Sequence, residues 1–99
     1  MKFVITPRAR RQVERERRWW EENRDKSPGL FLHELTEAER HLTAFPESGE
    51  LWRIRQKRTI RRWLLEKTAQ HLYYVYRPER EEVLVLAIWG ARRGRTPKL

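Results

Sequence analysis

A chain of 99 residues with 38% hydrophobic content, including five Trp, three Tyr and three Phe, carries enough apolar surface for one modest core, so a single folded domain over residues 1–99 is expected and disorder is not. The absence of cysteine excludes a disulfide framework and the usual Cys-based zinc sites. The opening MKFVITPRARR lacks a secretory apolar run, and no stretch approaches the ~20 apolar residues of a membrane span, so the expected location is cytoplasmic with no membrane partner. A formal net charge of +9, concentrated in the amino-terminal arm and the second half of the chain, favours an acidic partner such as nucleic acid or an acidic protein.

FVIT at residues 3–6 has strand composition. Thr6-Pro7 then reads as an N-cap followed by proline at the first helical position, where its missing N–H costs nothing. The run to about Asn23 has no internal Gly or Pro, and Ala9, Val13 and Trp20 form a thin apolar stripe among Arg and Glu. Adjacent residues cannot share one stripe, so Trp20 is expected inward and Trp19 at a rim or interface. Ser27-Pro28 repeats the cap-plus-proline signature. Phe31, Leu35, Ala38, Leu42 and Phe45 follow at helical steps up to Pro46, giving a second amphipathic helix folded back on the first.

After a turn at 46–49, residues 51–59 place Arg53, Arg55, Lys57 and Arg58 around Trp52 and Ile54. This pattern fits an irregular strand or a basic loop equally well. Runs at 60–66, 71–77 and 82–89 have strand composition and short connections, which predicts a meander. The last run is nearly all apolar, as in a central strand. Within YYVY, Leu72, Tyr74 and Tyr76 share a face and are assigned to the core, leaving Tyr73 and Val75 outward. The order β-α-α-β-β-β predicts an α+β fold: a helical hairpin on one face of a mainly antiparallel sheet, which the first strand joins non-locally.

Chemistry is sparse. Ser27 and Ser48 are better explained as a cap and a turn residue than as nucleophiles. Glu37 and His41, at i and i+4, read as a solvated helix face, and the glycines are too scattered to cradle phosphate. No metal or other cofactor is expected. What remains is arginine, whose planar fork suits phosphate or carboxylate, together with Tyr and Trp faces. The final WGARRGRTPKL admits two readings: a solvated basic tail over residues 90–99, or a contact segment held by Trp89.

FVITPRARRQVERERRWW, LHELTEAERHLTAFPESG and IRRWLLEKTAQHLYYVYRPEREEVLVLAIWGARRGRTPKL together resemble the ParE branch of the RelE/ParE toxins of type II toxin–antitoxin modules, over almost the whole chain. Carrying the resemblance are FPESG after the second helix, the Arg-initiated strand, YYVYR, and a last strand closing in a small residue and Arg. It implies the fold above and a cognate antitoxin whose acidic segment wraps the toxin in a hetero-oligomeric complex. RelE-like relatives are ribosome-dependent endoribonucleases that use basic residues on the sheet and near the end of the last strand, with a carboxy-terminal aromatic. Here Leu64 and Glu66 stand on the relevant strand, Tyr73 stands where an arginine is expected, only Arg92 is retained after the last strand, and no Tyr follows Tyr76. Arginines charged at every physiological pH do not exchange protons in general acid–base steps.

The resemblance therefore points to the growth-inhibiting, plasmid-stabilisation type of toxin that poisons DNA gyrase. No catalytic residues are assigned, and the alternative is a RelE-type enzyme acting on the ribosome and mRNA. Arg92, Arg93, Arg95 and Trp89 are the expected target contacts; Arg53, Arg55, Arg61, Arg62 and Trp19 are expected to meet the antitoxin. Truncation after Gly90 is expected to remove toxicity and leave the fold.

Overall fold

A computed structural model describes residues 1–99. In chain order it contains β1 (Lys2–Ile5), α1 (Pro7–Asn23), α2 (Leu30–Ala44), β2 (Glu50–Arg55), β3 (Arg58–Leu65), β4 (Gln70–Arg77), a 3-10 turn at Pro78–Arg80, and β5 (Glu82–Gly90). The strands form one mixed sheet in the order β1-β5-β4-β3-β2. β1 is parallel to β5, with Phe3 opposite Val83 and Ile5 opposite Val85, and the other pairings are antiparallel. This is an α+β architecture with both helices on one face of the sheet, where a single apolar cluster joins Ala9 and Trp20 of α1, Phe31, Leu35, Ala38 and Leu42 of α2, and Leu72, Tyr74, Val83, Val85 and Ile88 of the sheet.

Local signals account for the amino-terminal half. Thr6 caps α1 by accepting the Ala9 N–H at 3.2 Å, and its own N–H donates to the Val85 carbonyl at 3.1 Å, so the cap also ties the helix start to β5. Trp20 is 9% exposed and Trp19 43%, as adjacency on one helix demands. The outer face of α1 carries an Arg17 fork shared between Glu14 and Glu21.

Two local readings fail. Ser27 does not cap α2: its carbonyl accepts from Leu30 N in a turn, and the helix starts at Leu30 behind Gly29 with no side-chain cap. Pro28 makes a tight turn here instead of opening the helix. Phe45 is 62% exposed because α2 ends at Ala44 and the cap residue leaves helical geometry, which swings its side chain off the stripe.

The undecided basic segment is a strand. β2 pairs with β3 through a two-residue turn at Gln56 and Lys57, both at positive φ (52° and 63°), with Arg55 opposite Arg58. That turn normally takes Asn or Gly, and neither residue is present to announce it. A register shift between Leu51 and Arg53 breaks the strict alternation as well.

Burial of the tyrosines departs most from expectation. Tyr74 lies in the helix-side core, but Tyr73 is 1% exposed and Val75 is also buried, in a second cluster with Ile60 and Ala87 on the opposite face. Trp52, Leu86, Trp89 and Leu99 pack against that cluster. Tyr73 is therefore core, Tyr76 is only half-buried, and the molecule has two cores, one on each side of β4. An extra residue in β5, Leu86, accommodates the pair: Tyr73 faces Ala87 and Tyr74 faces Val85.

Tyr74 also closes the turn after α2. Its hydroxyl donates to the Pro46 carbonyl at 2.9 Å and accepts the buried Gly49 N–H at 2.9 Å. A side chain at Gly49 would meet the Tyr74 ring, 2.7 Å from Cε1, so the glycine of FPESG is required for close approach. Tyr74→Phe strands the Gly49 N–H and is expected to cost about 1–3 kcal/mol. Urea unfolding should show a lower midpoint with the slope unchanged; an unmoved midpoint would mean that the bond contributes nothing.

Candidate functional site

β5 delivers the chain to the carboxy-terminal segment. Ala91 N–H continues the sheet pattern by donating to Ala69 O at 2.8 Å, and Arg93 N–H turns back to Gly90 O at 3.3 Å. The Trp89 indole N–H donates to the Arg95 carbonyl at 2.9 Å, and the Arg93 guanidinium lies 4.3 Å from the centre of the Trp89 ring. Further on, Pro97 is buried, Arg8 Nη1 donates to Lys98 O at 2.7 Å, and Leu99 packs on the second core.

Residues 92–95 are thus an exposed loop held at both ends. Trp89 acts from a half-buried position at the rim of the second core, and its indole N–H fixes the loop directly. Because Leu99 packs against that core, truncation after Gly90 would remove part of its cover along with the arginines, so a truncate does not separate the two.

Trp19 of α1, Arg92, Arg93, Arg24 and Lys67 line one cleft of about 490 Å³, with Glu16 and Gln70 on its walls. The far wall is rigid: the Glu34 carboxylate of α2 accepts Lys67 N–H at 2.8 Å, Thr68 N–H at 2.9 Å and the Thr68 hydroxyl at 2.7 Å. The Arg24 guanidinium lies 5.1 Å from the Trp19 ring centre. Gln70 Nε2 donates to Glu16 at 3.1 Å, and burial pushes the Glu16 carboxyl above its ordinary value against the opposing pull of Arg93 and Arg15. The arginines and Trp19, which sequence reasoning gives to different partners, meet here. Arg95 is exposed on the same loop.

The four remaining sequence-selected arginines lie on β2 and β3. Arg53 and Arg55 are exposed near the β2–β3 turn, and Arg53 stacks 4.3 Å over Trp52. Arg61 and Arg62 are less free, and alternation sends them to opposite faces of β3. Arg61 donates to Gly49 O at 3.0 Å, while Arg62 forks onto the Glu50 carboxylate at 3.1 and 3.3 Å and reaches the Tyr73 hydroxyl at 3.5 Å. Arg55 pairs with Arg58 at the start of β3, whereas the cleft adjoins Leu65 and Gln70 at its end, so Arg53 and Arg55 lie away from the cleft and Arg61 and Arg62 in between.

Sequence reasoning passed over His71, which register places opposite Leu64 and Trp89 on the face without helices. Its ring centre is 6.0 Å from that of Tyr73. Burial, reinforced by the Arg62 charge, holds the imidazole below its ordinary pKa, and Glu50 only partly opposes this. The alternation His71, Tyr73, Val75 could have found it, had Tyr73 been read as inward. Glu66, by contrast, lies in the turn beyond β3 and not on the strand.

A depressed histidine pKa means that the fold resists protonation. The associated stability is complete above the unfolded-state value of about 6.5 and is lost as pH falls through it towards the folded-state value. His71→Asn should flatten that part of the profile in urea titrations at about pH 7.5 and about pH 5.5. A variant as acid-sensitive as the parent would show that other groups carry the effect.

No helix is long and apolar enough to cross a membrane. Among curated proteins no match to the chain is found. The family profile described as ParE toxin of type II toxin-antitoxin system, parDE, matches residues 3–94, from β1 through Arg92 and Arg93 of the pinned loop. With the strand, helix pair and five-stranded mixed sheet in the order just described, the chain belongs to the ParE toxin family of type II toxin–antitoxin systems.

Proposed function

We propose that this toxin inhibits growth by acting on DNA gyrase through the loop carrying Arg92, Arg93 and Arg95, and that a cognate antitoxin neutralises it. Family membership implies the antitoxin. The observation that carries the target reading is the loop itself: three exposed arginines on a segment closed by the Trp89–Arg95 hydrogen bond and followed by the buried Pro97. Exposed charge on a mobile tail adds little affinity, because binding must first order it. Charge on a loop already tied down lowers that cost. Guanidinium groups grip phosphate or carboxylate without exchanging protons, which suits an inhibitor that holds a complex in place.

The test is a gyrase supercoiling assay with purified chain beside the Arg92→Ala/Arg93→Ala/Arg95→Ala variant, which leaves Trp89, Pro97 and Leu99 in place. Inhibition should fall at least about tenfold, as the loss of charge-assisted contacts of about 1.5–3 kcal/mol each implies, while the thermal midpoint stays put. Equal inhibition by the variant would return the loop to a solubility role.

For the antitoxin, the exposed Arg53 and Arg55 suit an acidic segment laid along the free edge of β2, and Trp19 offers an apolar contact. Arg53→Glu/Arg55→Glu should weaken the complex and flatten its salt dependence. Arg61 and Arg62 already have partners within the chain, so reversing them should lower stability as well as affinity. Calorimetry across a salt series reads both effects; an unchanged affinity for the Arg53/Arg55 variant removes that edge from the interface.

One observation favours a second reading, a RelE-type ribosome-dependent endoribonuclease. His71, a group able to exchange protons near neutrality, stands on the helix-free face among Arg62, Glu50 and Tyr73. Translation-coupled mRNA cleavage that disappears in His71→Ala would install this reading in place of gyrase.

A further inference from the structure

We infer that the cleft between Trp19 and the Arg92–Arg93 loop is a binding site for single-stranded nucleic acid, with an unstacked amino-bearing base inside and its flanking phosphates on the arginines. The inference shares the loop with the proposed function but does not depend on which target the toxin poisons. The cleft's volume of about 490 Å³ falls within the roughly 300–1,000 Å³ of small-ligand sites, room enough for one nucleotide.

Its chemistry is layered. Arg24, Lys67, Arg92 and Arg93 stand exposed at the rim, and none of them takes part in an ion pair within the chain. The Arg93 guanidinium sits over the Trp89 ring, 4.3 Å from its centre, within cation–π range. Trp19 offers a half-exposed indole; the Arg24 guanidinium lies 5.1 Å from its ring centre and 5.7 Å from that of Trp20, and its one hydrogen bond is a 3.4 Å contact to the adjacent Asn23 carbonyl. A base that displaces Arg24 stacks on the indole and leaves the freed guanidinium beside its own phosphate.

The inner wall decides between nucleic acid and an acidic peptide. Glu16 and Gln70 bond to each other through Glu16 Oε2 and Gln70 Nε2, leaving Glu16 Oε1 and Gln70 Oε1 as acceptors with no partner in the chain. A carboxylate on the wall repels Asp and Glu side chains, but it accepts the N–H groups of the guanine, adenine or cytosine edge. Cations outside and acceptors inside match a nucleotide and oppose an acidic side chain. Since a base must leave its stack to reach Trp19, single strands are preferred to duplex.

The experiment is fluorescence anisotropy with the full chain and a labelled single-stranded DNA octamer of mixed sequence, compared with the corresponding duplex and with an octaglutamate competitor. The expected result is salt-dependent binding at least about tenfold tighter to the single strand. Trp19→Ala, at a half-exposed position that leaves the core intact, should weaken it about tenfold, while Trp19→Phe retains most of the affinity. Arg92→Ala/Arg93→Ala should lower both affinity and the slope against log salt, and Arg53→Ala/Arg55→Ala, on β2 near the β2–β3 turn and away from the cleft, should leave the preference for single strand unchanged. Equal binding to duplex, or unaltered affinity in a folded Trp19→Ala variant, overturns the site. Octaglutamate that binds more tightly than the octamer and is itself weakened by Trp19→Ala assigns the cleft to an acidic peptide instead.

Discussion

Burial of β4 on both of its faces is the constraint from which the rest of this structure follows. Leu72 and Tyr74 point into the core beneath the helices, and Tyr73 and Val75 into a second cluster on the opposite side. Each fully buried aliphatic side chain contributes about 1.5–3 kcal/mol, but only if something covers it. The helices cover one face. On the other, Trp52 from the β2 edge, Trp89 from the end of β5 and Leu99 from the carboxy-terminal segment provide the cover. The price of a second core is that the terminal segment has to return across the sheet.

That return positions the proposed contact surface. A chain leaving β5 at Gly90 and arriving at Pro97 and Leu99 has a short span in which to carry Arg92, Arg93 and Arg95, and the Trp89 indole shortens it further by binding the Arg95 carbonyl. The same geometry places the loop beside the carboxy-terminal half of α1, so Trp19, excluded from the core because Trp20 fills it, faces the arginines across a cleft. A basic loop and an exposed indole, each unremarkable alone, become one surface through packing demands made elsewhere. Glu34 completes it by fixing the turn that carries Lys67.

Much of this was legible in the residues, and the limits have physical causes. Thr6-Pro7 announces α1 because cap and proline act locally, and Phe31, Leu35, Ala38 and Leu42 announce α2 because one stripe faces one core. The same logic separates Trp20 from Trp19. Ser27-Pro28 misleads because a cap signature and a tight turn use the same residues. The β2 strand hides behind a Gln56-Lys57 turn that lacks the usual Asn or Gly. Tyr73 is misassigned because alternation identifies two faces without saying that both are buried; that depends on Leu99, 26 positions further along the chain. The cleft is invisible for the same reason, since its walls come from α1, the β3–β4 turn and the last segment. Family resemblance supplied the class of toxin, which no local pattern contains, and the profile match over residues 3–94 agrees with it.

On the proposed reading the arginines act because they are fixed in place, and not merely because they are charged. Leu99→Ser removes the apolar anchor from the second core while keeping every arginine, so it separates the two ideas. Amide exchange of residues 92–96 and supercoiling inhibition should be measured on the same preparation. Faster exchange is expected together with an inhibition loss approaching that of the triple arginine variant. A loop that exchanges freely yet inhibits at full strength would contradict it.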